Sequence, residues 1–139
     1  MICSVDTNVI LDVITDDPAF ADGSEQLLSD AYDTGSLVIC EVVYAELVPR
    51  LESRKALESL LARVGIKVAR SGEDVAWIAG RKWAEYRSAG GSRQRILPDF
   101  FIGAHATVRA DCLLTRDRGF YVTYFPELRL LSKSSGEII

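Results

Sequence analysis

Short apolar runs set between amphipathic segments constrain this chain more than any other feature. ICSV (2–5), LVIC (37–40), IKVA (66–69) and CLLT (112–115) have the length and β-branched character of buried strands, and LRLL (128–131) is a candidate fifth. Between them apolar residues recur at helical spacing. Val9, Ile10, Val13 and Ile14 mark a helix from Thr7 that Asp16, Asp17 and Pro18 break. Leu27, Leu28 and Ala31 mark a second over about 22–33. EVVYAEL opens a third that runs to Pro49. Leu57, Leu60, Leu61 and Val64 mark a fourth over 52–64, stopped by Gly65. The pattern predicts a long helix over 71–88, with Ser71 and Asp74 as a loose cap and Trp77, Ile78, Trp83 and Tyr86 as packing residues. Pro98 and Asp99 start a further helix through Val108.

Buried strands alternating with helices predict an α/β fold: an open, mainly parallel sheet of four to five strands flanked by helices on both faces. The 139 residues, without repeat or linker, suit one domain over 1–139, with the tail after about 132 expected to fray. No apolar run approaches the ~20 residues of a membrane helix. The first residues lack the basic start and cleavage site of a signal peptide, so no membrane partner is expected. Cys3, Cys40 and Cys112 form no C-x-x-C pair and each lies in or beside an apolar run. They read as reduced core residues, which points to the cytoplasm. One histidine and no ligand spacing argue against zinc.

In open parallel sheets, sites form outside the carboxyl ends of the strands. Asp6 follows the first strand and Asp117 the fourth. Glu46 lies one turn into the helix after the second strand, and Asp99 starts the helix before the fourth. Singly, each acid could be a helix starter or turn residue. As a converged set they would raise one another's pKa or recruit a cation. A hard dication with oxygen ligands, Mg²⁺ or Mn²⁺, relieves that repulsion and supports phosphodiester hydrolysis by an activated water, with one or two ions. Thr7, Asn8 and Thr115 could orient the acids or do turn chemistry. Arg93, Arg95, Arg116 and Arg118 flank the last two acids and could grip phosphate or line a solvated loop. His105 reads as a half-buried helix residue rather than a base, and Asp12 as solvent-facing. The net charge of −4 does not exclude a polyanionic substrate: with the four site acids set aside, 16 basic residues face 16 acidic ones.

The blocks V-D-T-N-V (5–9), V-V-Y-A-E-L (42–47), L-P-D-F-F-I-G-A (97–104) and L-L-T-R-D-R-G-F (113–120) resemble the four motif blocks of PIN domains, those of bacterial VapC-type toxins in particular. They come in order across almost the whole chain. The resemblance implies a Mg²⁺- or Mn²⁺-dependent endoribonuclease with a PIN-like sheet, acting as the toxin of a type II toxin–antitoxin pair, with a cognate antitoxin and a homodimer as partners. It carries over Asp6, Glu46, Asp99 and Asp117 as the acidic site and Thr115 as its polar support. Asp6, Asp99 and Asp117 are then metal ligands, and Glu46 a ligand or a water-orienting base. Where some members bear a further acid just after the position of Asp117, this chain has Arg118, Gly119 and Phe120, which leaves one or two ions open. Two other functions compete. A non-catalytic RNA- or protein-binding scaffold of this fold would be expected to have lost acids. A Mg²⁺-dependent phosphoacceptor domain needs a lysine after a late strand, and none of Lys55, Lys67, Lys82 and Lys133 follows the strand ending at Thr115.

Overall fold

The computed structural model describes residues 1–91 and 95–132 and the backbone of 137–138. Five parallel strands, β1 (Ile2–Val5), β2 (Ser36–Ile39), β3 (Ile66–Val68), β4 (Cys112–Leu114) and β5 (Leu130–Ser132), stand in the order β3-β2-β1-β4-β5. A two-residue strand β6 (Glu137–Ile138) lies antiparallel to β5 at the edge, within the tail expected to fray; the rest of that tail after Ser132 lies outside the described residues. The α/β sheet anticipated from the strand pattern is thus present.

Helices α1 (Thr7–Ile14), α2 (Ala21–Thr34), α3 (Glu41–Leu47) and α4 (Arg54–Val64) join β1 to β2 and β2 to β3. Helices α5 (Gly72–Ser88), α6 (Leu97–Arg109) and α7 (Arg118–Tyr124) accompany the return to β4 and on to β5. Right-handed crossovers moving in opposite directions across a sheet put their helices on opposite faces. The direction reverses between β1 and β4, so their adjacent carboxyl ends form the topological switch point, where open α/β sheets build sites. β1 and β4 are in direct register: Cys3 opposes Cys112, Ser4 opposes Leu113 and Val5 opposes Leu114.

Local chemistry explains most boundaries. Ser53 Oγ accepts the Ala56 N–H at 3.1 Å and caps α4, so that helix starts later than its periodicity suggested. Gly65, at φ 84°, ends it in the left-handed conformation that suits glycine. After Leu47 the chain tightens into a 3₁₀ turn, Val48–Arg50, around Pro49.

Three expectations need correction. Ser71 makes no cap for α5; its hydroxyl donates to Glu41 Oε1 at 2.8 Å, tying α5 to α3. Trp77 is 69% exposed, because Val75, Ala79 and Tyr86 take the inner face of α5. His105 is wholly buried rather than half-buried. Its Nε2 lies 2.7 Å from the Ala69 carbonyl and must donate there, leaving Nδ1 to accept from the Ser4 hydroxyl at 3.4 Å. Burial lowers its pKa and keeps the ring neutral.

Helix α7 was absent from the sequence reading. An aromatic cluster fixes it: Phe120 meets Phe100 of α6 edge-on at 5.2 Å, and Tyr124 meets Tyr86 of α5 at 5.3 Å. Phe125 packs where Gly103 leaves room, since a Cβ there would stand 2.4 Å from its ring. Phe100, fully buried at the centre of this cluster, is expected to lose about 3–5 kcal/mol of stability on Phe100→Ala. Trp77→Ala should stay within about 0.5 kcal/mol of the parent. Urea unfolding of the two variants checks both values, and a reversed order would contradict the packing described.

Candidate active site

Asp6 is the first residue beyond β1. Its own N–H continues the sheet by donating to the Leu114 carbonyl at 2.9 Å. The side chain is nearly buried, at 6% exposure, and is surrounded by donors. Oδ1 accepts the Thr7 N–H at 2.8 Å, capping α1. Oδ2 accepts from the Thr115 hydroxyl at 2.7 Å, the Tyr121 hydroxyl at 3.1 Å and the Asn8 amide at 3.2 Å. Burial outweighs these bonds and pushes the carboxyl up to about 6, with the charge of Asp117 adding to the rise.

The chain leaving β4 is built around the same carboxylate. Thr115 is fully buried, and its Oγ also accepts the Asp117 N–H at 2.9 Å, so one hydroxyl fixes both acids. Asn8 donates to Asp6 and accepts the Arg116 N–H at 3.2 Å, stapling the two strand ends together. Asp117 stands at the head of α7, with its carboxylate held by both terminal nitrogens of Arg95. The Arg95 guanidinium also lies 4.5 Å above the Phe120 ring.

Asp99 sits in the first turn of α6 and accepts the Ile96 N–H at 3.0 Å. Its neighbour Phe100 anchors that turn in the core. The charges of Asp6, Asp99 and Asp117 all act on Tyr121, whose pKa stands well above its usual value, mainly because the hydroxyl is buried. Glu46 lies on the exposed flank of α3, outside the buried stripe of Val43 and Leu47. The Thr7 hydroxyl donates to its Oε1 at 2.7 Å and links it to the turn holding Asp6. Hydrogen bonds thus link Asp6 to Asp117 through Thr115 and tie Glu46 to the turn of Asp6, and Asp99 is near enough for its charge to act on Tyr121 and Arg95; among the described residues no three His, Cys, Asp or Glu side chains form a group that could hold a metal ion.

A family model described as PIN domain matches residues 3–126. This chain belongs to the PIN-domain family. Solved structures share the fold. A chain of VapBC2 from Rickettsia felis, bound to a DNA fragment from its promoter, aligns over 95% of this chain and 98% of that one, with TM-score 0.70 and 21% identity. A chain of VapBC-1 from nontypeable Haemophilus influenzae aligns over 96% and 99%, with TM-score 0.72 and 20% identity. A chain of a toxin–antitoxin complex from Klebsiella pneumoniae aligns over 86% and 89%, with TM-score 0.59 and 20% identity. Among curated proteins no match was found.

The donor chemistry of this PIN domain suits a hard dication. The convergent side chains offer oxygen only, the buried Asp6 carboxylate gains from a nearby positive charge, and a cationic guanidinium already sits on Asp117. Tyr121 was missed by the sequence reading because the short helix carrying it was missed; its one signal is the spacing of one helical turn after Asp117. Asp12 was expected to face solvent and is instead 3% exposed. It receives Arg116 Nε at 2.7 Å, Nη2 at 2.9 Å and the Ser24 hydroxyl at 2.7 Å. Arg116, flanking the site in sequence, spends its fork on Asp12 and stacks 4.0 Å over the Phe20 ring. Arg118 opens α7, and Arg93 lies outside the described residues.

Two outcomes follow from this geometry. With its folded-state pKa raised above the unfolded 3.8 to about 6, Asp6 binds its proton more tightly in the folded chain. That stabilising contribution is complete below about pH 4 and lost as pH rises through about 6. Asp6→Asn lacks the term, so its stability relative to the parent should rise by about 2 kcal/mol between pH 4 and 7.5 in metal-free buffer. Urea titrations at several pH values measure this, and a difference independent of pH would contradict it. Removing Arg116 leaves the Asp12 carboxylate buried without its charge partner. Arg116→Ala should therefore cost about 2–3 kcal/mol, below the cost for fully buried pairs because half of this one is partly exposed. Thermal unfolding of that variant tests the pairing.

Proposed function

We propose that this PIN domain is a Mg²⁺- or Mn²⁺-dependent endoribonuclease, the toxin of a toxin–antitoxin pair. One observation carries the reading: a nearly buried aspartate at the β1/β4 switch point, tied through Thr115 to a second aspartate. Burial makes the Asp6 charge costly and Asp117 adds to that cost, which a bound dication would relieve.

Asp6, Asp99 and Asp117 would hold one or two ions, and Glu46 would serve as a further ligand or as a base that orients water. A bound dication supplies the charge that acidifies water and offsets the charge on a phosphodiester. The protein's own residues supply the positions. Thr115, Tyr121, Asn8 and the Thr7 N–H fix both oxygens of Asp6, so its carboxylate cannot turn away. Thr7 holds Glu46 on the same edge. Arg95 and Arg118, beside Asp117, supply forks for the RNA backbone.

An antitoxin partner is supported by the neighbours: the Klebsiella pneumoniae structure is of a toxin–antitoxin complex. An antitoxin would need apolar surface, and α1, α3 and α4 offer it. One groove of about 700 Å³ is lined by Tyr44, Val48, Leu57 and Val68, and another of about 970 Å³ by Val13, Ile14, Leu51 and Leu60. A homodimer and a cytoplasmic site of action belong to the same reading. No helix among the described residues is long and apolar enough to cross a membrane.

Purified chain, freed of any antitoxin, should cut total cellular RNA into discrete products with Mg²⁺ or Mn²⁺ and not with EDTA. Asp6→Asn and Asp99→Asn should each fold and lose at least about 100-fold in rate, more than the loss of an outer-shell partner costs. Full activity in either variant, or cleavage that survives EDTA, would sink the assignment.

A further inference from the structure

Arg95 occupies a singular position. Its side chain grips both oxygens of Asp117, at 3.3 Å for Nη2 to Oδ1 and closer for Nη1 to Oδ2. The peptide that follows it donates the Ile96 N–H to Asp99 Oδ2 at 3.0 Å. One residue therefore bridges two of the acids assigned to the ion. Its guanidinium rests on Phe120, whose ring is buried and cannot retreat.

We propose that Arg95 is a placeholder cation: it and the divalent ion compete for Asp117, and the ion's arrival frees the guanidinium to meet RNA phosphate. The identity of the ion rests on the nuclease reading above. Asp117 retains lone pairs beyond the two that Arg95 uses, so the conflict is one of charge rather than of available oxygens. A guanidinium and a dication on one carboxylate repel at a few ångströms in a partly desolvated cleft. Arg95 is about one-third exposed, so part of its side chain already faces solvent. The Phe120 face keeps it beside the site as it moves, and a free planar fork suits a phosphate. The pairing also explains how the acidic edge stays folded without metal: Asp117 is neutralised from within.

Mn²⁺ binding followed by the electron paramagnetic resonance of the free ion separates this from catalysis. The full chain and its Arg95→Gln variant are titrated with Mn²⁺ alone, without RNA. Removing the competing charge should tighten Mn²⁺ binding about tenfold. Arg95→Lys, which keeps the charge and loses the fork, should return affinity toward the parent, whereas a merely structural role would not be rescued this way. Arg95→Gln combined with Asp117→Asn should lose the gain, showing that it acts through Asp117. At saturating Mn²⁺ the KM for RNA should rise in Arg95→Gln. Unchanged or weaker Mn²⁺ affinity in Arg95→Gln, with the parent binding Mn²⁺, overturns the placeholder role and leaves the nuclease reading standing. No Mn²⁺ binding by any variant overturns both.

Discussion

The Asp6 carboxylate joins parts of the chain that have no other reason to meet. It caps α1, receives a hydroxyl from the loop after β4 and another from α7, and sits where β1 and β4 end side by side. A carboxylate so enclosed is tolerated because four donors meet it, one on Oδ1 and three on Oδ2. Those donors come from residues 7, 8, 115 and 121, so satisfying one side chain fixes the geometry of two strand ends and a helix. The rest of the edge takes its position from there: Thr115 passes the constraint to Asp117, and Thr7 passes it to Glu46.

Two supports hold this assembly from opposite sides. The aromatic cluster clamps α7 against α5 and α6, and places Tyr121 under Asp6 and Asp99 in the turn beside Phe100. On the other side the Asp12–Arg116 pair, reinforced by Ser24 and Phe20, binds α1 and α2 to the loop between Thr115 and Asp117. Both decide whether the acids keep their spacing, because a site held on strand ends is only as fixed as the loops leaving them.

What could be read from the sequence was whatever depends on local order. Strand-length apolar runs and helical periodicity fix the sheet and most helices, and the rule that sites form at the carboxyl ends of strands singles out Asp6 and Asp117. Long-range pairing could not be read. Nothing near Asp12 in sequence announces that Arg116 will cover it, so a buried charge looked like a surface one. The α7 segment, RGFYVTY, opens with arginine and glycine and is aromatic on more than one side, so its period is blurred until Phe100 and Tyr86 give those rings a partner. Trp77 shows the converse error: an aromatic in a helix was assigned to packing, although the inner stripe was already filled by smaller residues.

The charge balance of the site follows from the same pairings. A net charge of −4 appears to oppose a polyanionic substrate, but the average conceals who neutralises whom. Arg116 is spent on Asp12 and is a structural charge. Arg95 is spent on Asp117 and, on the placeholder proposal, would leave it for a stronger cation. Among the described residues Asp6 accepts from hydroxyls and amides and from no cationic side chain, and Glu46 from a hydroxyl. The edge is therefore under-neutralised at Asp6 and Glu46 and provisionally neutralised at Asp117. A dication would correct the first and release the second in one step, leaving a positive centre with a free guanidinium beside it. On the proposed reading, the acidic average of the chain and the anionic character of RNA would be compatible, because the surface meeting the substrate would be the one whose sign a bound metal changes.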